Sequence, residues 1–283
     1  MMYLKEWFET YNCKTIDDVS RAKKEMVQSI ILAGLSRSDF FDHVAFFGGT
    51  ALRLLYEMPR FSEDLDFSLL NPDPSFTMAK YFDFIQAECA MYDLNVSLKI
   101  KEKVNPNDIE SAFLKEKTIW ADLTISANKK DGLEPDFRIK LEIEREQQAT
   151  VKTDQKLLLR PFSFYVTAYS SEYLFAGNMH VVLFRQWKNR AKGRDWYDFE
   201  WFIKQGYAMN LAHLEARAKQ SGHWPHHETL GVNEFKKLLQ DKIIGLDIAF
   251  AKDDIGRFVF NQADFNLWSQ QYFLDLADKI KLV

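Results

Sequence analysis

A chain of 283 residues with 47% hydrophobic and 28% charged side chains can build one large domain or two modest ones, and long disordered stretches are not expected. Its net charge of −4 excludes a globally basic surface, so any nucleic-acid contact has to come from a local patch. Two cysteines, Cys13 and Cys89, support neither a disulfide framework nor a cysteine zinc site.

The opening residues MMYLKEWFETYN lack the apolar run of a signal peptide, and no stretch approaches about 18 uninterrupted apolar residues. A cytoplasmic protein without a membrane span is therefore expected. Aromatic side chains reach 15%, with 24 Phe and 7 Trp, which points to an aromatic core.

In chain order, residues 16–36 carry apolar side chains at helical spacing, with Asp17 and Asp18 suited to a first turn. HVAFF at 43–47 reads as a short strand that stops at Gly48-Gly49, and a helix is expected to start at Thr50 or Ala51 and to end before Pro59. DLDFSLL at 64–70 alternates, placing Asp64, Asp66 and Ser68 on one face and Leu65, Phe67 and Leu69 on the other. NPDPS at 71–75 is a turn cluster, and 77–92 read as helix. Strands are expected at 96–103, 118–126 and 137–145, and FSFYVTAY at 162–169 reads as a further edge strand.

After residue 170 the pattern becomes helical, through SSEYLFAGNMHVVLFRQWKNR, RDWYDFEWFIKQ, 208–220, 231–244 and 263–281. The expected architecture is α+β: a mixed-sheet lobe over 1–169 with an N-terminal helix, and a helical lobe over 170–283 closing a cleft. No internal repeat or low-complexity segment occurs.

Chemistry concentrates in two runs. In FFGGTALRLLY a strand ends, two glycines turn and a helix begins. Glycines let a phosphate approach the backbone, and a helix N-terminus offers free N–H groups and a favourable dipole. Thr50 can add a hydroxyl to phosphate or cap the helix. In RFSEDLDF, Asp64 and Asp66 lie two apart on a strand and share a face. Two carboxylates that close repel, and a shared magnesium ion removes the cost. One helix and one turn separate the runs, so the glycine bend is expected beside the start of the acidic strand.

GGTALRLLYEMPRFSEDLDFSL, joined by LFAGNMHVVLFRQWKNRAKGRDWYDFEWFI, resembles the AbiEii/AbiGii toxin family of nucleotidyltransferases, within the polymerase-beta-like superfamily. The resemblance implies a nucleotidyltransferase fold and a two-metal mechanism with Mg2+, or Mn2+ in its place. It also implies a nucleoside triphosphate as donor, RNA such as tRNA among the acceptors, and a neighbouring antitoxin protein. Carried over by position, Asp64, Asp66 and a third carboxylate hold metal. Glu142, mid-strand in IKLEIE with Glu144 and Lys140 on the same face, is the choice for the third. The implied nucleotide-binding positions are Gly48, Gly49, Thr50, Arg53, Ser62, Lys140, Asn178, Lys188 and Arg194, and Asp195 joins the catalytic set. Lys188, Arg190, Lys192 and Arg194 form a short basic cluster between Trp187 and Trp196 suited to phosphate, and Asp198 is expected to orient it.

One departure stands out. Asn178 occupies a position at which the family usually carries a lysine, so a charge is missing. The expected function is therefore a magnesium-dependent nucleotidyltransferase toxin acting on a hydroxyl acceptor. The alternatives are a weakened nucleotide- or protein-binding member of the fold, or a phosphotransferase on the same scaffold. His223, His226 and His227 lie in a turn-like stretch without a cysteine partner, and His180 reads as a packed core histidine.

Overall fold

The computed structural model describes residues 2–100, 118–127, 137–145, 151–185, 192–259 and 265–283. They fall into two compact units: the first holds the sheet and the N-terminal helices, and the second holds 58–60, 151–152 and 169–283.

The first unit is built on seven strands: β1 (Val44–Phe47), β2 (Leu65–Leu69), β3 (Leu94–Ile100), β4 (Thr118–Ala127), β5 (Phe137–Glu144), β6 (Thr153–Leu158) and β7 (Phe164–Tyr169), in the order β3-β4-β5-β2-β1-β7-β6. The sheet is mixed. β1 runs antiparallel to β2, β2 parallel to β5, and β5 antiparallel to β4.

Alternation divides the central strands. Leu65, Phe67, Ile139, Leu141, Ile143, Leu123 and Ile125 are buried in one hydrophobic core with Ile30, Ile31 and Ile85 from the helices α2 (Ile16–Ser36) and α5 (Phe82–Ala90). Asp66, Lys140, Glu142 and Glu144 alternate with them and are only partly buried. α2 starts with a capping box: Asp18 N–H donates to Thr15 Oγ1 at 3.1 Å and Thr15 N–H to Asp18 Oδ2 at 3.0 Å.

Several elements differ from the sequence reading. A helix α1 (Met2–Glu9) precedes α2, and a turn of helix α3 (Phe40–His43) leads into β1. The helix α4 after β1 spans Gly48–Tyr56, beginning at the glycines themselves and ending where Glu57 turns left-handed at φ 58°. A 3-10 turn, Met78–Tyr81, precedes α5. The strand expected at the sheet edge, β7, is internal, with Val166 and Ala168 fully buried; β6, unread in the sequence, is the outer neighbour.

The second unit is helical: α6 (Ser171–Phe184), α7 (Gly193–Gln205), α8 (Leu211–Gln220), α9 (Val232–Ile244), α10 (Ile248–Gly256) and α11 (Gln270–Ala277). A two-stranded parallel pair, β8 (Ala208–Met209) with β9 (Lys281–Leu282), adjoins them. Trp196, Trp201 and Trp268 are buried, and the Trp268 indole N–H donates to Glu200 Oε2 at 2.7 Å. α10 was not read from the sequence, and among the described residues at the C-terminal end the α-helix spans Gln270–Ala277.

Candidate active site

The site in the first unit is made by the β1–α4–β2 segment and its neighbour β5. Antiparallel pairing sets Phe47 opposite Asp66, so the bend that follows Phe47 meets the acidic strand. Gly48 adopts φ +79°, a left-handed conformation that disfavours a side chain. A Cβ built there would come within 3.1 Å of the Cβ and Cγ of Asp66 and closer still to Oδ2. The expected meeting of glycine bend and carboxylate is therefore observed. The residue at the α4 N-cap, Phe47, makes no side-chain capping hydrogen bond.

Asp64 lies one residue ahead of β2. Its backbone carbonyl accepts a hydrogen bond from the fully buried Thr50 hydroxyl, tying α4 to the start of the acidic strand. The Thr50 hydroxyl thus has a structural partner, which leaves the phosphate role read from the sequence to the glycine backbone. Gln28 on α2 fixes the same approach from below, its amide donating to the carbonyls of Ser62 at 3.2 Å and Glu63 at 2.9 Å.

The parallel register places Glu142 opposite Asp66 and Glu144 opposite Ser68, so β5 brings two further acids to the same face. Burial first, then the carboxylates of Glu142, Asp64 and Glu144, push the Asp66 carboxyl up to about 8, against the pull of Lys140. Asp64 is raised as well, by burial first, with Lys140 opposing and Glu142 adding to the rise. The Lys140 ammonium forms an ion pair with Glu142.

The donor set suits a hard cation: Asp64 and Asp66 are carboxylates held together at an electrostatic cost, and magnesium takes one or two carboxylates plus phosphate oxygens. Among the described residues no group of three His, Cys, Asp or Glu side chains converges closely enough to hold an ion as it stands. The pair fits magnesium, while Glu142 is engaged by Lys140.

Arg53 has another partner. From α4 its guanidinium grips Glu25 on α2, Nε to Oε2 at 2.7 Å and Nη2 to Oε1 at 3.2 Å. Neither Glu25 nor Gln28 was picked out from the sequence. The signal was there: both interrupt the apolar stripe of α2, and polar groups on a buried face need partners.

In the second unit, Asn178 on α6 donates from Nδ2 to the Asp195 carbonyl at 3.0 Å, and its Oδ1 is buried without a partner. Burial, then Asp198, raise the Asp195 carboxyl to about 6, with Lys192 opposing. Asp198 is tied to Arg60 by two hydrogen bonds, Nε to Oδ1 and Nη2 to Oδ2, both 2.5 Å, with both residues buried. Asp198 therefore orients Arg60, a residue not singled out from the sequence. Arg194 stacks 4.1 Å from the Phe258 ring centroid. Lys188 and Arg190 lie outside the described residues. His180, with its pKa pushed down to about 3 by burial and then Arg217, hydrogen-bonds Ser221 at 2.9 Å.

Comparison with known proteins gives these features a family. A model of the "Nucleotidyl transferase AbiEii toxin, Type IV TA system" family matches residues 30–275. The chain belongs to the AbiEii nucleotidyltransferase toxin family.

Two solved structures share the AbiEii fold described above. One is a candidate nucleotidyltransferase from H. pylori, at 14% identity and a TM-score of 0.53, covering 92% of this chain and 93% of that one. The other is JHP933 from Helicobacter pylori, at 16% identity and a TM-score of 0.55, covering 92% and 90%. No curated protein matches the chain. No helix among the described residues of this AbiEii member is long and apolar enough to cross a membrane.

Proposed function

We propose that the chain is a nucleotidyltransferase that moves a nucleotide from a nucleoside triphosphate to a hydroxyl acceptor such as tRNA, as the toxin of a toxin–antitoxin pair. The observation that carries this is the apposition of Gly48 and Asp66: a side-chain-free bend at a helix N-terminus, set against paired carboxylates.

The division of labour follows from the donors. Backbone N–H groups at Gly48 and Gly49 bind triphosphate oxygens, aided by the α4 dipole. Asp64 and Asp66 hold Mg2+, two ions in the full complex with Mn2+ as a substitute, and Glu142 is the third carboxylate. When bound, magnesium supplies charge neutralisation on the phosphates and polarises the acceptor. The acceptor hydroxyl gives its proton to solvent, its oxygen bonds the α-phosphorus, the bond from that phosphorus to the β-phosphate bridge breaks, and pyrophosphate leaves. Burial and the neighbouring carboxylates push the Asp66 carboxyl up to about 8, and a divalent ion held there would favour its ionised form. Lys140 contributes positive charge to phosphate, by analogy with the family.

Incubating the protein with Mg2+, labelled triphosphates and total RNA tests this reading. Label should enter RNA, with release of pyrophosphate rather than diphosphate, and the Asp64→Ala, Asp66→Ala double variant should be silent. Persistent labelling by that variant overturns the proposal.

One observation favours a second reading, triphosphate binding without turnover: the uncharged Asn178 already spends its amide on the Asp195 carbonyl. Calorimetric binding with no product from any acceptor would select it.

A further inference from the structure

Six charged groups share the polar face of β2 and β5: Asp64 at the edge of the strand, Asp66, Glu142, Glu144 and two cations, the half-buried Lys140 and the exposed Arg138. Lys140 and Glu142 lie two apart on β5, so their side chains leave the same face. They bond directly, at side-chain exposures of 28% and 29%, which leaves both within reach of solvent and of an arriving ligand. The same ammonium also acts on Asp64. The ammonium sits on Glu142 Oε1, so its positive charge opposes a divalent ion arriving at the same carboxylate.

We propose that Lys140 is a resident counter-ion that holds Glu142 until a triphosphate arrives, then passes to a phosphate oxygen and frees Glu142 for the divalent ion. This rests on the nucleotidyltransferase reading and adds an order to it: the triphosphate unlocks the third carboxylate. The side chain suits the task, because an ammonium is a compact point charge on a flexible stem, whereas a guanidinium would lock in a planar fork. Triphosphate and divalent ion are then linked through Lys140, each strengthening the other's binding beyond their direct attraction, and the linkage is reciprocal.

The test uses Mn2+ as a paramagnetic probe, with free ion measured by electron paramagnetic resonance, with and without a non-hydrolysable triphosphate analogue. In Lys140→Met, Mn2+ binding without triphosphate should tighten by roughly tenfold, and the enhancement brought by the analogue should shrink by a similar factor. Lys140→Arg should keep the weak binding of the wild type.

Two controls separate the lock from bulk charge. Arg138→Met removes an exposed cation from the same face of β5 and should leave Mn2+ affinity within about twofold. Adding Glu142→Gln to Lys140→Met should erase the gain. Unchanged or weaker Mn2+ binding in Lys140→Met, or a gain that survives Glu142→Gln, overturns the proposal. Asp66→Asn tells the two failures apart. Loss of Mn2+ binding in Asp66→Asn with no effect of Lys140→Met overturns the lock alone, whereas unchanged binding in Asp66→Asn overturns the site reading with it. Circular dichroism melts confirm that each variant is folded.

Discussion

Gly48 and Asp66 are packed so closely that a single methyl group on the glycine would strike the carboxyl. Gly48→Ala therefore meets two obstacles. The left-handed backbone costs a non-glycine residue about 1–2 kcal/mol, and the bend can make room only by moving away from Asp66. The expected result is a folded protein, a few degrees less stable, with triphosphate binding and RNA labelling reduced by roughly a hundredfold. Gly49→Ala, whose glycine is not in a left-handed conformation, should be milder in stability.

The raised pKa of Asp66 predicts a pH-dependent stability whose sign follows from proton counting. Between about 4 and 8 the folded state keeps a proton that the unfolded state has released, so stability falls as pH rises through that window and levels off above about 8. In chelator, Asp66→Asn should melt above the wild type at pH 8, and the gap should narrow at pH 5. Added Mg2+ should raise the wild-type melting temperature at pH 8 and leave the variant unmoved. Equal pH profiles for the two proteins would contradict the electrostatic account.

Arg60 and Asp198 form a buried pair with both guanidinium–carboxylate bonds made. Removing one partner strands the other charge in the interior, at a cost of about 3–5 kcal/mol. Arg60→Met and Asp198→Leu should each lower urea stability on this scale. The Arg60→Met, Asp198→Leu double variant should cost markedly less than the two singles added. Additive losses in a double-mutant cycle would mean that the pair is not the reason for either effect.

Asn178→Lys tests whether the uncharged residue limits turnover. The change removes the bond to the Asp195 carbonyl, a loss of about 1 kcal/mol, and also removes the unpartnered Oδ1. Labelling should rise several-fold while the melting temperature moves by only a few degrees. A fall in activity at unchanged stability would assign Asn178 a positioning role through Asp195.

How far the sequence revealed this arrangement varies with how local the signal was. The β1–α4–β2 segment was legible because everything it needs lies within 26 consecutive positions, from Val44 to Leu69: a glycine pair, a short helix and a strict two-residue alternation through Leu65 and Phe67. Placing Glu142 beside Asp66 depended on register across a parallel pair, which single-strand alternation does not set. β6 was missed because Asp154 and Lys156 are poor strand formers and TDQKLL takes its order from pairing in the sheet. The Arg53–Glu25 and Arg60–Asp198 contacts span 28 and 138 positions, and no local pattern encodes them. The partner of the Thr50 hydroxyl, the Asp64 carbonyl, is 14 positions away and was not legible in the sequence.

Trp196, Trp201 and Trp268 all lie buried in the helical unit, while Trp7 is the buried indole of the sheet unit whose surroundings are described. Fluorescence emission will accordingly be weighted toward the helical half, whereas far-ultraviolet dichroism averages over both. Heating curves recorded by the two signals give a direct reading of cooperativity: superimposed traces mean one all-or-none transition, and an emission change that comes earlier or later means that the halves melt as separate thermodynamic bodies.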